Sequence, residues 1–169
     1  MKIEIPKDKP IIVVTGPESS GKTTLVHKIK ADLDLPIVEE YARAYLTAKD
    51  DPSQYDYDDL VMIARCQNIQ EKDAHTRYPL IVCDTDLVTI EIWAQEVFGR
   101  SIDLEVPAAD QKLYLLSKPD IPWEADELRE NPEDRDRLYD LYKDYLSEHK
   151  LDFVELEAED RAAIKLDFI

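Results

Sequence analysis

The sequence predicts an α/β fold, in which a five-stranded parallel sheet lies between two layers of helices. Three observations support this prediction. Five short apolar runs occupy residues 10–15, 35–39, 79–86, 112–117 and 151–156. The central runs are continuous rather than alternating, which is typical of strands buried on both faces of a parallel sheet. Helix-like segments separate the runs, and a glycine-containing turn follows the first run.

Helices are predicted between and after the strands, at residues 21–33, 39–49, 56–76, 86–98, 132–149 and 159–167. Strands that alternate with helices form βαβ units with right-handed crossovers. We therefore predict a single three-layer α/β/α domain over residues 1–169. Among the possible strand orders we favour the spatial order second, third, first, fourth, fifth. The charged stretch at about residues 120–137 is the least core-like part of the chain, and we predict that it forms a lid.

The charge balance excludes some classes of partner. The chain carries 38 acidic and 21 basic residues, a formal net charge of −17. This argues against binding to nucleic acid or to an anionic membrane surface, both of which need a basic footprint. It permits a nucleotide ligand, because a few local N–H groups and cations suffice for that. The expected partner is therefore a small molecule, and the sequence leaves the oligomeric state open.

The remaining compositional features indicate a cytoplasmic protein. Cys66 and Cys83 lack CxxC spacing, so we expect neither zinc nor a disulfide framework, and Cys83 ends an apolar run typical of the core. No apolar stretch reaches the roughly 18 residues of a membrane span. The first ten residues do not resemble a signal peptide.

Residues 15–25, TGPESSGKTTL, contain the phosphate-loop pattern G-x-x-x-x-G-K-[ST] at every fixed position. The pattern follows an apolar strand and opens a helix, which is the context that such a loop requires, and it predicts a P-loop NTPase fold. Glycines let the backbone N–H groups turn towards phosphate oxygens, and a helix N-terminus favours anions. The residues expected to bind ATP are Gly16, Pro17, Glu18, Ser19, Ser20, Gly21, Lys22, Thr23 and Thr24.

Two carboxylates follow the third strand, where ligands of parallel sheets bind. Asp84 ends the apolar run and is the expected partner of Mg²⁺, together with the hydroxyl of Thr23. Asp86 comes two residues later and has two interpretations. It is a candidate substrate-binding residue, or it caps the helix that begins at residue 87.

The second strand ends in Glu39 and Glu40, with Arg43 one turn further on. A carboxylate at this position can accept the proton of a hydroxyl that attacks the γ-phosphate, and Glu40 is favoured over Glu39 for this role. Arg43 is expected either to hold an anionic substrate group or to pair with Glu40. The alternative is a helix N-terminus decorated with acids, which the helix dipole favours.

The predicted lid supplies Arg129 and Arg135, cations that can stabilise charge spread over a transferring phosphoryl group. A solvated helix end is the simpler explanation for both. Trp123 precedes the lid and is either a plate on which an aromatic ligand stacks or a hydrophobic anchor for the lid. Lys22, Glu40, Asp84 and Arg129 are thus the expected catalytic residues.

These motifs, "GPESSGKTTL", "EYAR", "CDTD" and "PDIPW…LR…P…R" in that order, resemble the nicotinamide riboside kinase domain of the NadR type and its stand-alone AAA-family relatives. The resemblance covers about residues 11–165. It implies transfer of the ATP γ-phosphoryl group to the 5′-hydroxyl of nicotinamide riboside, giving nicotinamide mononucleotide. It also implies that Glu40 or Asp84 contacts or deprotonates the substrate hydroxyl, that Trp123 lies near the nicotinamide ring, and that Arg129 and Arg135 belong to the lid. With the strand-end residues considered above, the expected substrate-binding residues are Glu40, Tyr41, Arg43, Asp84, Asp86, Trp123 and Arg135. The adenylyltransferase and repressor roles of the longer members are not expected here.

Three alternatives to that function stay open. The first is a kinase of another nucleoside or metabolite. The second is a nucleotide-dependent switch that hydrolyses ATP slowly and signals through the lid. The third is a scaffold that binds nucleotide only for stability. The choice between Glu40 and Asp84 as the base is also open, as is that between ATP and GTP, although the absence of an NKxD pattern favours ATP.

Overall fold

The computed structural model describes residues 1–124 and 133–168. The strands are β1 Lys2–Ile5, β2 Ile11–Thr15, β3 Ile37–Val38, β4 Ile81–Asp84, β5 Lys112–Ser117, β6 Phe153–Leu156 and β7 Lys165–Phe168. The helices are α1 Lys22–Leu33, α2 Tyr41–Thr47, α3 Tyr57–Arg77, α4 Leu87–Phe98, α5 Arg135–Glu148 and α6 Ala158–Ala163. A 3₁₀ turn, Ala109–Gln111, precedes β5.

Five parallel strands form the main sheet in the order β3-β4-β2-β5-β6. This is the predicted order, with β2 as the first apolar run and β6 as the last. Strands β3 and β4 lie on one side of β2, and β5 and β6 lie on the other. Because β2 and β4 are parallel neighbours, the segments that follow them leave the same edge of the sheet. Ligands of open parallel sheets bind at such a switch point.

Helices cover both faces of the sheet, which confirms the three-layer prediction. Side chains of β2 alternate between two buried clusters: Ile11 and Val13 pack in the cluster that contains α4 and α5 residues, and Ile12 and Val14 pack in the cluster that contains α1 residues. All five residues of β2 are buried. Burial on both faces explains why the run is continuously apolar.

Helix α3 begins with a capping box, in which Asp56 accepts from the backbone N–H of Asp59 and the Asp59 side chain accepts from the N–H of Asp56. This helix packs beside α2 and α4 through a third apolar cluster that includes Leu46, Leu60 and Ile90. The packing fixes α2 and α4 at the edge of the sheet where β3 and β4 end. No helix in the described parts of the chain is both long and apolar enough to cross a bilayer.

The C-terminal helix predicted for residues 159–167 is wrong in its second half. Helix α6 stops at Ala163, and Lys165–Phe168 instead form β7, which pairs in parallel with β1 as a separate two-stranded sheet. Strand β1 was not predicted either. Each strand is four residues long and only partly buried, so neither contains a hydrophobic period long enough to identify it.

Candidate active site

The phosphate-loop pattern forms the turn between β2 and α1, and its two glycines are needed for different reasons. Gly16 has φ +135°, and a Cβ there would lie 2.6 Å from the backbone oxygen of Ser117 on β5. Gly21 has φ +81° and is the N-cap of α1. Within the loop, Lys22 Nζ donates to the Pro17 carbonyl at 2.6 Å. The ammonium therefore lies against the loop backbone, where phosphate oxygens are within its reach.

Thr23 and Asp84 meet beside the loop. Thr23 Oγ1 donates to Asp84 Oδ2 at 3.0 Å, and the Asp84 side chain is buried. Burial raises the pKa of Asp84 above its ordinary value, although the charge of Lys22 and the Thr23 bond oppose the shift. Asp84 Oδ1 has no hydrogen-bond partner within residues 1–124 and 133–168. A buried carboxylate oxygen without a donor is unusual, and a ligand explains it.

These two residues fit Mg²⁺. A carboxylate and a hydroxyl are hard oxygen ligands, and Mg²⁺ in phosphate sites commonly takes one or two protein ligands together with phosphate oxygens and water. In the described residues no group of three or more His, Cys, Asp and Glu side chains could hold a metal. The site therefore suits an ion that arrives with a phosphate ligand rather than a metal held wholly by the protein.

Glu40 lies near the cations Lys22 and Arg43. Glu40 is the N-cap of α2 and is half-buried. Burial raises its pKa, the charge of Lys22 lowers it, and the charge of Asp84 raises it again. Arg43 also acts on Glu40 in the lowering direction. A carboxylate with a raised pKa is suited to accept a proton near neutral pH. Tyr41, in contrast, uses its backbone N–H to donate to Gln67 Oε1 at 2.8 Å.

The phosphate loop and Glu40 line one cavity of about 480 Å³. Arg43 lines it too, whereas Tyr41, Asp84, Asp86, Trp123 and Arg135 do not, although Asp84 contacts the lining residue Thr23. The sequence analysis did not identify several other lining residues, which are Tyr55, Thr89, Ile92, Trp93, Glu96 and Tyr142.

Trp93 and Tyr55 form an aromatic pair in the wall of this cavity. Their ring centroids are 5.0 Å apart in an edge-to-face arrangement, and Trp93 Nε1 donates to the Tyr55 hydroxyl at 3.0 Å. Trp93 shares a face of α4 with Thr89 and Glu96, at helical spacings of four and three residues. This spacing was the only sign in the sequence that these residues act together. It does not show which segment of the chain packs against that face of α4.

The structure places Asp86 away from the cavity and favours the helix-cap interpretation. Asp86 is fully buried, and its Oδ1 accepts from the backbone N–H of Val88 at 3.0 Å. Its Oδ2 accepts from Lys112 Nζ and from the Tyr114 hydroxyl, both at 2.7 Å. Both carboxylate oxygens are therefore occupied inside the protein. The expectation that Asp86 contacts the substrate is corrected accordingly.

Lys112 is the centre of this buried cluster of Asp86, Lys112, Glu71 and Tyr114. Its Nζ also donates to Glu71 at 2.9 Å, and both side chains are almost wholly shielded from solvent. Burial raises the pKa of Glu71 to about 7, and the charge of Lys112 offsets part of that shift. Burial also raises the pKa of the Tyr114 hydroxyl well above its usual range. Such a cluster persists because its groups satisfy one another.

Thr85 lies between the two aspartates in a left-handed conformation, with φ +64°. This region is unfavourable for a β-branched residue and costs about 1–3 kcal/mol. Thr85 is buried, and its backbone N–H donates to the Val14 carbonyl at 2.9 Å. The surrounding structure therefore holds residues 84–86 in a turn that the chain would not adopt alone.

Residues at both described ends of the predicted lid segment contact the phosphate loop. Arg135 Nη1 donates to the carbonyls of Ser19 and Ile121, each at 3.0 Å. The backbone N–H of Glu124 donates to Ser19 Oγ at 2.9 Å. The Arg135 guanidinium also lies 5.7 Å from the centroid of the Trp123 ring. Arg135 and Glu124 thus bond to the loop, and Trp123 lies beside Arg135, which favours the anchor interpretation of Trp123. Arg129 lies outside the described residues, and its role stays a prediction.

Comparisons with known proteins agree with this geometry. The chain is 31% identical over 158 residues to the trifunctional NAD biosynthesis/regulator protein NadR of Escherichia coli K12, covering 88% of this chain and 38% of that protein. The NadR of Salmonella typhimurium LT2 is 29% identical over 160 residues, with the same coverage. The chain thus spans about two fifths of the length of these relatives.

Solved structures share the fold. A crystal structure of NadR in complex with NR superposes with a TM-score of 0.68 at 24% identity, covering 88% of this chain and 44% of that one. A deoxyadenosine kinase from M. mycoides gives a TM-score of 0.57 at 15% identity, covering 90% and 93%. The family model described as an AAA domain matches residues 11–163, nearly the whole described chain, and the protein therefore belongs to this AAA domain family of phosphate-loop proteins.

Proposed function

We propose that the protein is an ATP-dependent kinase that phosphorylates the 5′-hydroxyl of a ribonucleoside, with nicotinamide riboside as the preferred acceptor. In this reaction the hydroxyl oxygen forms a bond to the γ-phosphorus, and the bond from that phosphorus to the β–γ bridging oxygen breaks. ADP leaves, and the hydroxyl proton passes to a carboxylate. The products are ADP and nicotinamide mononucleotide.

One observation carries the proposal. A single cavity is lined by the phosphate loop, by Glu40 and by the Trp93–Tyr55 pair. A kinase must hold a donor and an acceptor in one space so that the two reacting groups meet. An NTPase switch needs only the nucleotide half of such a site. The aromatic wall gives the cavity a second recognition surface, suited to a flat ring.

The residues around the loop supply the chemistry. Glu40 is the proposed base, because it lines the cavity and its burial raises its pKa. Lys22 is the cation positioned to stabilise charge on the phosphoryl group in transfer, the main contribution that proteins make to this reaction. Asp84 is buried against Thr23 and is assigned to the metal instead of the proton. Thr23 and Asp84 would hold Mg²⁺, which supplies charge neutralisation at the β- and γ-phosphate oxygens when it is bound.

The relatives support the same class of acceptor. The family match over residues 11–163 contains every residue named above, the chain is similar in sequence to NadR, and one NadR structure is a complex with NR. The nicotinamide ring of the riboside is a cation, and a cation is attracted to the faces of Trp and Tyr rings. The Trp93–Tyr55 pair therefore favours nicotinamide riboside over an uncharged nucleoside.

The test is ADP release from Mg-ATP with nicotinamide riboside, with its uncharged reduced form, with deoxyadenosine and with no acceptor, while mass spectrometry identifies the product. We expect release that depends on nicotinamide riboside and a mononucleotide product. Preference for deoxyadenosine would reassign the acceptor. ATP hydrolysis that no acceptor stimulates would overturn the kinase proposal. Lys22→Met is the inactive control for contaminating kinases.

The two tryptophans provide a matched pair of variants for the acceptor site. Trp93→Ala should raise KM for the nucleoside about tenfold, since a lost aromatic contact of this kind amounts to roughly 1–2 kcal/mol, and should leave KM for ATP unchanged. Trp123→Ala should not raise the nucleoside KM, because Trp123 does not line the cavity. Trp93→Phe should restore part of the affinity. The opposite pattern would place the acceptor against Trp123.

A further inference from the structure

We propose that Asp86 and Lys112 are positioning residues for phosphoryl transfer, which hold the turn at residues 84–86 so that Asp84 and helix α4 keep their places at the active site. This inference rests on the proposed kinase function, but it concerns residues that touch neither substrate. Its evidence is the geometry of the turn and of the buried cluster behind it.

The turn joins two parts of the site. On its N-terminal side is Asp84, which contacts Thr23 next to the phosphate loop. On its C-terminal side is α4, which carries Thr89 and Trp93 in the cavity wall. Any rotation of the turn therefore moves the proposed metal ligand and the acceptor wall together. Only Thr85 and Asp86 lie between them, so the turn cannot absorb a movement of one part without affecting the other.

The turn is strained and is held from outside. Thr85 adopts a left-handed conformation that a β-branched residue avoids. Two interactions oppose its relaxation. The Thr85 N–H is bonded to the Val14 carbonyl on β2. The Asp86 carboxylate is bonded to Lys112 and Tyr114 on β5.

The second interaction spans the centre of the sheet. Asp86 follows β4, Lys112 and Tyr114 belong to β5, and β2 lies between those strands. The cluster thus links the two neighbours of the strand that leads into the phosphate loop. A charged group buried in such a link tolerates little displacement, because a shift would leave a buried charge unpaired.

A variant of Glu71 can distinguish a positioning role of Asp86 from a purely stabilising one. It binds the same Lys112 ammonium, but it comes from α3 and does not belong to the turn. Asp86→Asn and Glu71→Gln are both isosteric, and each replaces a carboxyl group that is bonded to the same lysine with an amide. Only the first changes the group that holds the turn. An effect of burial or charge balance alone would appear in both variants.

The experiment compares the wild-type protein, Asp86→Asn and Glu71→Gln, all assayed well below the lower of their melting temperatures. The readouts are kcat, KM for nicotinamide riboside, and the Mg²⁺ concentration that gives half-maximal rate. Mn²⁺ binding to the ADP complex, followed by electron paramagnetic resonance, reports on the metal site without turnover. Tyr114→Phe is included because it removes one bond to Asp86 and leaves no buried charge unpaired, so it remains informative if Asp86→Asn does not fold.

We expect Asp86→Asn to lose about 10–100-fold in kcat or in Mn²⁺ affinity, as is typical for residues that orient a metal ligand. Tyr114→Phe should show the same change to a smaller degree, and Glu71→Gln should stay within about twofold of the wild type although its melting temperature falls. Equal kinetic losses in Asp86→Asn and Glu71→Gln would overturn the proposal, as would wild-type kinetics and metal binding in Asp86→Asn and Tyr114→Phe. Absence of wild-type turnover would reject the kinase function separately, and the Mn²⁺ measurement would still decide the positioning role.

Discussion

Gly16→Ala is expected to damage both folding and nucleotide binding, and its cost follows from two features of the structure. The backbone at Gly16 has φ +135°, which side-chain-bearing residues rarely adopt, at a cost of about 1–3 kcal/mol. The new Cβ would also lie 2.6 Å from the Ser117 carbonyl oxygen, far inside van der Waals contact. Relieving an overlap in a packed interior costs about 1–3 kcal/mol more. The sum is about 2–6 kcal/mol, less than or comparable to the stability of a typical domain.

Gly99→Ala is the matched control. Gly99 also has positive φ, at +62°, but a Cβ there meets nothing within 4 Å. Its cost should therefore be the conformational part alone, about 1–2 kcal/mol. Urea unfolding gives the free energy of unfolding of both variants, and titration calorimetry gives their affinity for Mg-ATP. Gly16→Ala should lose more stability than Gly99→Ala and should also lose at least about tenfold in ATP affinity, equivalent to 1.4 kcal/mol.

Equal losses of stability and equal ATP affinities in the two variants would contradict this prediction. That result would mean that β5 and the loop separate without cost, and that the close approach of Gly16 to Ser117 is not what requires a glycine. Loss of affinity in Gly99→Ala alone would be equally damaging, since Gly99 is the C-cap of α4 and does not line the cavity.

Three further predictions concern single side chains. Glu40→Gln should lower kcat by about 10²–10⁴-fold, and an unchanged rate would show that Glu40 is not the base. The acid limb of the wild-type pH–rate profile should lie above the ordinary carboxyl pKa, because burial raises the pKa of Glu40. The raised pKa of Glu71, about 7 against an ordinary 4.5, means that its stabilising contribution is complete below about pH 4.5 and is lost as pH rises through about 7. The wild type should therefore lose unfolding free energy between pH 5 and 8 relative to Glu71→Gln in parallel urea titrations, and parallel curves would contradict this. Arg135→Met should weaken ATP binding about tenfold in calorimetry, since it removes the charged hydrogen bonds to Ser19 and Ile121, whereas wild-type affinity would show that the lid does not support the loop.

The parts of the fold that were predictable from the sequence depend on local patterns. The run at residues 10–15 is apolar at successive positions because β2 is buried on both faces, and Gly16 and Gly21 mark the turn by their spacing. The strand order was predicted as well, although right-handed βαβ connections alone permit several orders. Strands β1 and β7 did not follow, because four-residue segments that are partly exposed have no period to detect.

The candidate site was predictable only where its residues follow a strand directly. Asp84 and Glu40 could be placed because the ends of parallel strands converge. Trp93 could not, because its role depends on which face of α4 meets the segment that contains Tyr55. Asp86 fitted both interpretations. The choice between them depends on Lys112, a lysine at the start of a strand whose burial no local pattern indicates.

Asp84, Asp86 and Glu40, three of the carboxylates near the carboxyl ends of β3 and β4, differ in how many of their acceptor positions the protein itself fills. Asp86 has donors at both oxygens and no access to the cavity, so its negative charge is committed to Lys112 and Tyr114. Asp84 has Thr23 at one oxygen, and the other has no partner in the described parts of the chain. Glu40 lines the cavity, and its raised pKa marks a charge that its surroundings do not fully stabilise. Different surroundings give neighbouring carboxyl groups different pKa values and therefore different chemical roles. An acceptor oxygen that the protein itself does not fill is available to a ligand. Asp84 is therefore suited to a metal ion and Glu40 to a proton, whereas Asp86 is suited to neither.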